Sequence, residues 1–297
     1  MTGNFSWAKL AIIAFALGTI PAAAKDRPTK QLKPTSAWNL DYAADSCRIA
    51  RTFGTGADSS AFYLEQYDPG EDFLLLVAGG PLAGVKPRDI SIQFGPAAQA
   101  QEKLGIAAEF GSFGTGFMVT GMSMVPTEKD RGADQKKWDE PDLPSVRAPE
   151  SDISWVAFTK TGVTDLVLEL GAMDKPMDAL RACTDDLVRQ WGIDAEAQKS
   201  RTRKVRPANN PGRWLVADDY PSELLRKGNQ GVAPFRLIVG ADGVPESCHI
   251  QKTSGHKAFD DVVCEKVMER ARFMPALDAN DQPIRSYYIS TVRFAAG

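Results

Sequence analysis

Four cysteines, Cys47, Cys183, Cys248 and Cys264, constrain this 297-residue chain more than any other feature, because each cross-link must join elements that face one another. Whether they cross-link at all depends on compartment, and the first residues speak to that. Lys9 precedes an apolar run from Leu10 to Ile20, and Pro21-Ala22-Ala23-Ala24 follows before the charged Lys25-Asp26. A positive start, a short apolar stretch and a small-residue site make the pattern of a secretory signal peptide. The apolar run is too short for a membrane-spanning helix, which needs roughly twenty residues. Cleavage after Ala24 is therefore expected, with residues 1–24 removed on export. No cysteine follows that site to take a lipid, and no later run is apolar enough to span a membrane. In an oxidising compartment an even number of cysteines implies disulfides, and four allow three pairings. A metal site has little to build on, since the histidines are His249 and His256 and no C-x-x-C occurs.

The length suits two ordinary domains. A formal net charge of −3 provides no global basic field for nucleic acid, so a nucleic-acid partner is excluded as the main role. From 37 to 194 the chain reads as a mostly-β domain. Strands are expected at 38–43, 48–53, 61–67, 73–78, 90–94, 116–122, 153–158 and 165–170, separated by clusters such as Asp68-Pro69-Gly70-Glu71. Residues 127–150, charged and proline-bearing, read as an exposed loop. A helix closes the domain: Asp174 is placed to cap it, Pro176 suits its first turn, and Leu180, Cys183, Leu187, Val188 and Trp191 share one face. Cys183 then points toward the sheet, where Cys47 is its natural partner, and a bridge closing so long a loop contributes about 4–5 kcal/mol.

Residues 195–213 are polar, with Lys199, Arg201, Arg203, Lys204 and Arg206 alternating with small residues before Pro207 and Pro211. A solvated, extended spacer is the favoured reading, and a basic strip making weak contact with anionic lipid headgroups is the sharper one. Beyond it, 214–297 forms a second domain. Tyr220-Pro221, Leu224-Leu225 and Gly228 suggest a short helical turn ended by glycine. Phe235, Leu237 and Val239 alternate along a strand, Asp242-Gly243 marks a hairpin, and Val244, Glu246, Cys248 and Ile250 share one face of the return. A helix over 257–270 carries Phe259, Val262, Val263, Val267 and Met268 as its apolar stripe. Residues 284–294, rich in β-branched and aromatic side chains, read as a last strand. Cys248 on the strand and Cys264 on the helix are placed to pair, a link contributing on the order of 3 kcal/mol. The fold class is thus α+β.

Residues 220–294 resemble the TonB C-terminal domain family. The resemblance rests on Tyr220-Pro221, Leu225, Gly228, Gly231-Val232, Phe235, Val239 and Asp242-Gly243-Val244. It continues through Thr253-Ser254-Gly255, Phe259-Asp260 and Arg272-Phe273-Pro275-Ala276. It implies a three-stranded antiparallel sheet packed on helices, in a Gram-negative-type periplasm. It also implies capture of a short extended segment, the TonB box of outer-membrane transporters, beside the last strand. An unpaired edge offers N–H and C=O groups that a peptide can complete. Arg285, Tyr287, Ile289 and Arg293 are the residues expected near such a partner, and the sequence leaves open whether two copies dimerise by pairing edges. Pro234 departs from the family's first strand and suggests an edge or bulge there. A cleavable N-terminus and a folded β domain in place of an anchor and proline-rich spacer point to a soluble periplasmic relative.

Catalytic readings fare worse. Gly111-Ser112-Phe113-Gly114-Thr115-Gly116 lacks the Lys-Ser/Thr of a phosphate loop, and Gly121-Met122-Ser123-Met124-Val125 lacks the second glycine of a nucleophile elbow. No cofactor is indicated. Two readings of function follow: a non-catalytic adaptor using its C-terminal edge, and a secreted hydrolase with a catalytic β domain and a TonB-like docking module. The first is favoured. Converging carboxylates in a cleft of the β domain would favour the second.

Overall fold

The computed structural model describes residues 28–124 and 150–295. The expected signal peptide and nearly all of the 127–150 loop lie outside the described residues. The first eleven strands are β1 (Thr29–Leu32), β2 (Asn39–Tyr42), β3 (Cys47–Phe53), β4 (Ser60–Gln66), β5 (Phe73–Gly79), β6 (Ile90–Phe94), β7 (Gln101–Lys103), β8 (Ile106–Glu109), β9 (Thr115–Met122), β10 (Trp155–Thr159) and β11 (Asp165–Glu169). They form two sheets, ordered β2-β3-β4-β5-β9-β8 and β1-β11-β10-β6-β7.

The sheets face each other as a sandwich because alternate side chains of each strand are apolar and point inward. Phe62 and Phe117 of one sheet meet Phe158 of the other at ring-centroid distances of 6.3 and 5.7 Å, and Phe73 meets Phe94 at 5.9 Å. Every expected strand is present within a few residues. Three short ones, β1, β7 and β8, had no alternating signal. β1 is polar and joins its sheet by parallel pairing with β11, from Thr29 opposite Asp165 to Leu32 opposite Leu168. The sandwich therefore starts before residue 37.

Helix α1 (Asp174–Gln190) closes the sandwich, burying Met177, Leu180, Cys183 and Leu187. Asp174 is its first helical residue rather than its cap. Met173 occupies the cap position without a side-chain bond, and the Asp174 carboxylate faces the positive end of the helix dipole. The disulfide Cys47–Cys183 ties α1 to β3.

The stretch 195–213 is not an extended spacer. Asp194 caps α2 (Ala195–Lys199) by accepting from the amides of Glu196 and Ala197, and Ala195 and Gln198 are buried. β12 (Arg206–Pro207) pairs with β15 (Phe273–Met274). Three of the cations are tied to the protein: Lys199, itself exposed, lies with its Nζ 2.6 Å from Asp185, Arg201 donates to the Gln198 carbonyl, and Arg203 donates to the Pro275 carbonyl.

The second domain holds α3 (Ser222–Arg226), β13 (Gly231–Val239), β14 (Pro245–Ile250), α4 (Lys257–Arg270), β16 (Ala276–Leu277), β17 (Pro283–Ile284) and β18 (Ser286–Phe294). Its antiparallel sheet has the order β14-β13-β18. One face, from Ala233, Phe235, Leu237 and Val239, packs on Phe259, Val263 and Val267 of α4. Cys248–Cys264 pins β14 to that helix. Phe259 stacks on Phe294 at 4.0 Å, and Gly231 lies against the ring, where a Cβ would come within 2.9 Å of it. Pro234 is at neither an edge nor a bulge, since β13 is the central strand. Its carbonyl accepts from Gln251 N just past the end of β14, so the missing donor costs only a terminal rung.

Candidate functional site

β18 lies at the margin of its sheet, and among the described residues no other strand pairs with its outer side. Which of its backbone groups are open follows from the register. In an antiparallel ladder the N–H and C=O of one residue point to the same side, and successive residues alternate. The Pro234 carbonyl faces β14. Phe235, Leu237 and Val239 therefore face β18, where they stand opposite Ser290, Tyr288 and Ser286. It follows that Tyr287, Ile289, Thr291 and Arg293 direct their backbone groups away from the sheet.

The four expected partner-binding residues do not share one environment. Ile289 and Arg293 sit along the open stretch, with Thr291 between them, and Thr291 and Arg293 are exposed. Arg285 and Tyr287 instead meet the sandwich. Tyr287 is 8% exposed and packs with Val188, Ile193, Ala195 and Ile238. Its ring meets Trp191 edge-on at 5.2 Å. Burial pushes its phenol well above the usual range, and the Asp68 carboxylate adds to that. Arg285 Nη1 donates to the Gly192 carbonyl at 2.7 Å, and its Nε donates to Glu246 at 2.6 Å.

The same sheet face carries further contacts with the sandwich. Arg236 lies 4.1 Å over the Trp191 ring and donates to Asp45 at 3.2 Å. Burial lowers its guanidinium against the pull of Asp45. His249 Nε2 also reaches Asp45, at 2.8 Å. Asp68, in the β4–β5 turn, is pushed up to about 6, because burial outweighs the positive charges of Arg201 and Lys204. One face of the sheet thus packs on its own helix and the other on the sandwich. Among the described residues that leaves the two sheet margins, the outer sides of β14 and β18, without a strand partner, and β18 is the one that carries the expected binding residues.

Sequence reasoning missed Asp45, Trp191 and Gln198 as residues that shape this site. Trp191 was visible on the apolar stripe of α1, but its second contact, with Tyr287, belongs to another domain. Gln198 lies in a stretch whose charge pattern suggested solvent. Neither imidazole shares a hydrogen bond with a hydroxyl or thiol among the described residues: His249 meets Asp45, and His256 meets Asn229.

The model of the Gram-negative bacterial TonB protein C-terminal family matches residues 216–295. Protein tonB2 of Pseudomonas aeruginosa is similar, with 37% identity over 60 residues, covering 20% of this chain and 22% of the relative. Residues 216–295 are therefore a TonB C-terminal domain, as the signature from Tyr220 to Ala276 implied. The chain spans about a fifth of the curated relative it matches, and the family match at 216–295 lies outside the sandwich.

Proposed function

We propose that this protein is an exported, non-catalytic TonB-family adaptor of the Gram-negative envelope. It holds an extended segment of an envelope protein by strand addition beside β18, in support of transport across the envelope. The segment proposed is a TonB box of an outer-membrane transporter. The observation that carries the reading is the margin of β18 in a TonB C-terminal domain, where the backbone groups of Ile289, Thr291 and Arg293 point outward and pair with no other strand among the described residues. The secreted-hydrolase alternative draws less support. Two surface grooves on the sandwich, of about 790 and 430 Å³, are lined among the described residues by a single carboxylate between them, Glu169. That carboxylate accepts from Gln31 at 2.9 Å and has no second acid facing it among the described residues, whereas glycoside hydrolysis needs a pair.

A photoreactive residue in place of Arg293, in the full exported chain, tests the reading in cells. Covalent adducts with the extended periplasmic segment of an outer-membrane transporter are expected. Adducts with none, in cells where such transporters are abundant, would contradict it.

A further inference from the structure

The free margin of β18 is not open along its whole length. Where the chain crosses from the sandwich to the TonB domain, α2 passes the start of β18, and Gln198, 4% exposed, sits against it. Its side-chain amide fills the donor half of a strand residue's place: Nε2 donates to the Arg285 backbone carbonyl at 3.1 Å, while Oε1 accepts from the Ser286 side-chain hydroxyl. An amide N–H donates as a peptide N–H does, so Gln198 takes the first outward carbonyl that an added strand would use. Beside it, Trp191 covers Tyr287 and the Gly192 carbonyl holds Arg285.

We propose that this α1–α2 corner is a built-in stop on the edge strand, and that Gln198 is the residue that sets it. An incoming extended segment then pairs with Ile289, Thr291 and Arg293 and ends at Tyr287. The site takes a short segment, because three outward residues offer three N–H and three C=O groups. Arg293, exposed and without an ion pair among the described residues, favours an acidic side chain opposite it. Partners needing a longer ladder are rejected by the filled rung and the covered tyrosine, which makes the sandwich a determinant of specificity. The inference rests on the strand-addition reading for its incoming segment, but the stop itself can be tested with no partner present.

Amide hydrogen exchange by NMR on the full chain is the test. In the native protein the N–H of Tyr287 is expected to exchange at least about tenfold more slowly than those of Ile289, Thr291 and Arg293. In a Gln198→Ala/Arg285→Ala variant it should rise to match them. Tyr288, Ser290 and Val292, which face β13, should stay protected and so report that the sheet is intact. Two results would overturn the stop: native Tyr287 exchanging as fast as the other three, or Tyr287 remaining protected in the variant. Because no partner enters this measurement, its failure leaves strand addition standing. Absence of cross-linked transporter would in turn leave the stop standing.

Discussion

The two disulfides close loops of very different length, and that difference fixes how much each should matter. Cys47 and Cys183 are 136 residues apart in sequence, and Cys248 and Cys264 are 16 apart. Cross-linking removes loop-closure entropy from the unfolded chain in proportion to the logarithm of loop length, which gives about 5 kcal/mol for the first bridge and about 3 kcal/mol for the second. The first also joins α1 to β3 inside the sandwich core, where both cysteines are fully buried, so its loss frees the helix that closes the domain. The perturbation is Cys47→Ala/Cys183→Ala, set beside Cys248→Ala/Cys264→Ala and the native chain. Thermal unfolding by circular dichroism should show the sandwich melting roughly 10–20 °C lower in the first variant. The second variant should leave the sandwich transition in place and lower that of the TonB domain. If removing the long bridge lowers stability by less than about 2 kcal/mol, the chain-entropy reasoning fails. If both variants lower the same single transition equally, the assignment of one bridge to each domain fails.

Three further outcomes are expected. Asp68, raised to about 6 from an ordinary 3.8, binds its proton more tightly in the folded protein, so its contribution is fullest at low pH and is lost as pH rises through about 6. Asp68→Asn should therefore raise the melting temperature at pH 7.5 relative to native and change it little at pH 4; a lower melting temperature at pH 7.5 would mean that pairing with Arg201 and Lys204 outweighs burial. Asp219 works the other way, since the Arg270 guanidinium holds its carboxyl below the usual range. Its stabilisation is present above the ordinary carboxylate range and lost on acidification, so Arg270→Met should flatten the acid side of the stability profile, and an unchanged acid limb would count against the pair. Gly243, at φ +80°, would place a Cβ 2.0 Å from the Phe273 carbonyl. Gly243→Ala should destabilise the TonB domain by more than about 1 kcal/mol in urea unfolding, and a neutral effect would show that the turn relaxes freely.

How much of this was legible in the sequence depended on whether a contact was local. The strands of the sandwich announced themselves wherever side chains alternate, as in β6 and β10, and α1 and α4 were visible from their apolar stripes. Both disulfide pairings followed from which face each cysteine occupies. β1 was silent because Thr29-Lys30-Gln31-Leu32 has no alternation of its own and is a strand only because β11 is beside it. The short strand β17 stood apart from β18 for a comparable reason, its pairing with β16 being tertiary. The site divided along the same line. Its strand and its residues were readable, and the family signature supplied the edge. Which half of that edge is covered was not, because Gln198 and Trp191 reach it from another domain. Charge misled at 195–213: five cations suggested solvent, yet Arg201 and Arg203 donate to backbone carbonyls and hold the chain against the protein.

Strand addition at this margin needs backbone groups that point outward at alternate residues of β18, and a single proline separates outward from inward. Proline is tolerated on an edge strand only where its missing N–H faces away from the ladder. Thr291→Pro should therefore leave the fold standing, with a melting temperature close to native, while the yield of transporter adducts from the photoreactive position 293 falls to background. Val292→Pro, one residue along, removes an inward donor and should unfold the sheet. Unchanged cross-linking in a folded Thr291→Pro protein would contradict strand addition at this edge.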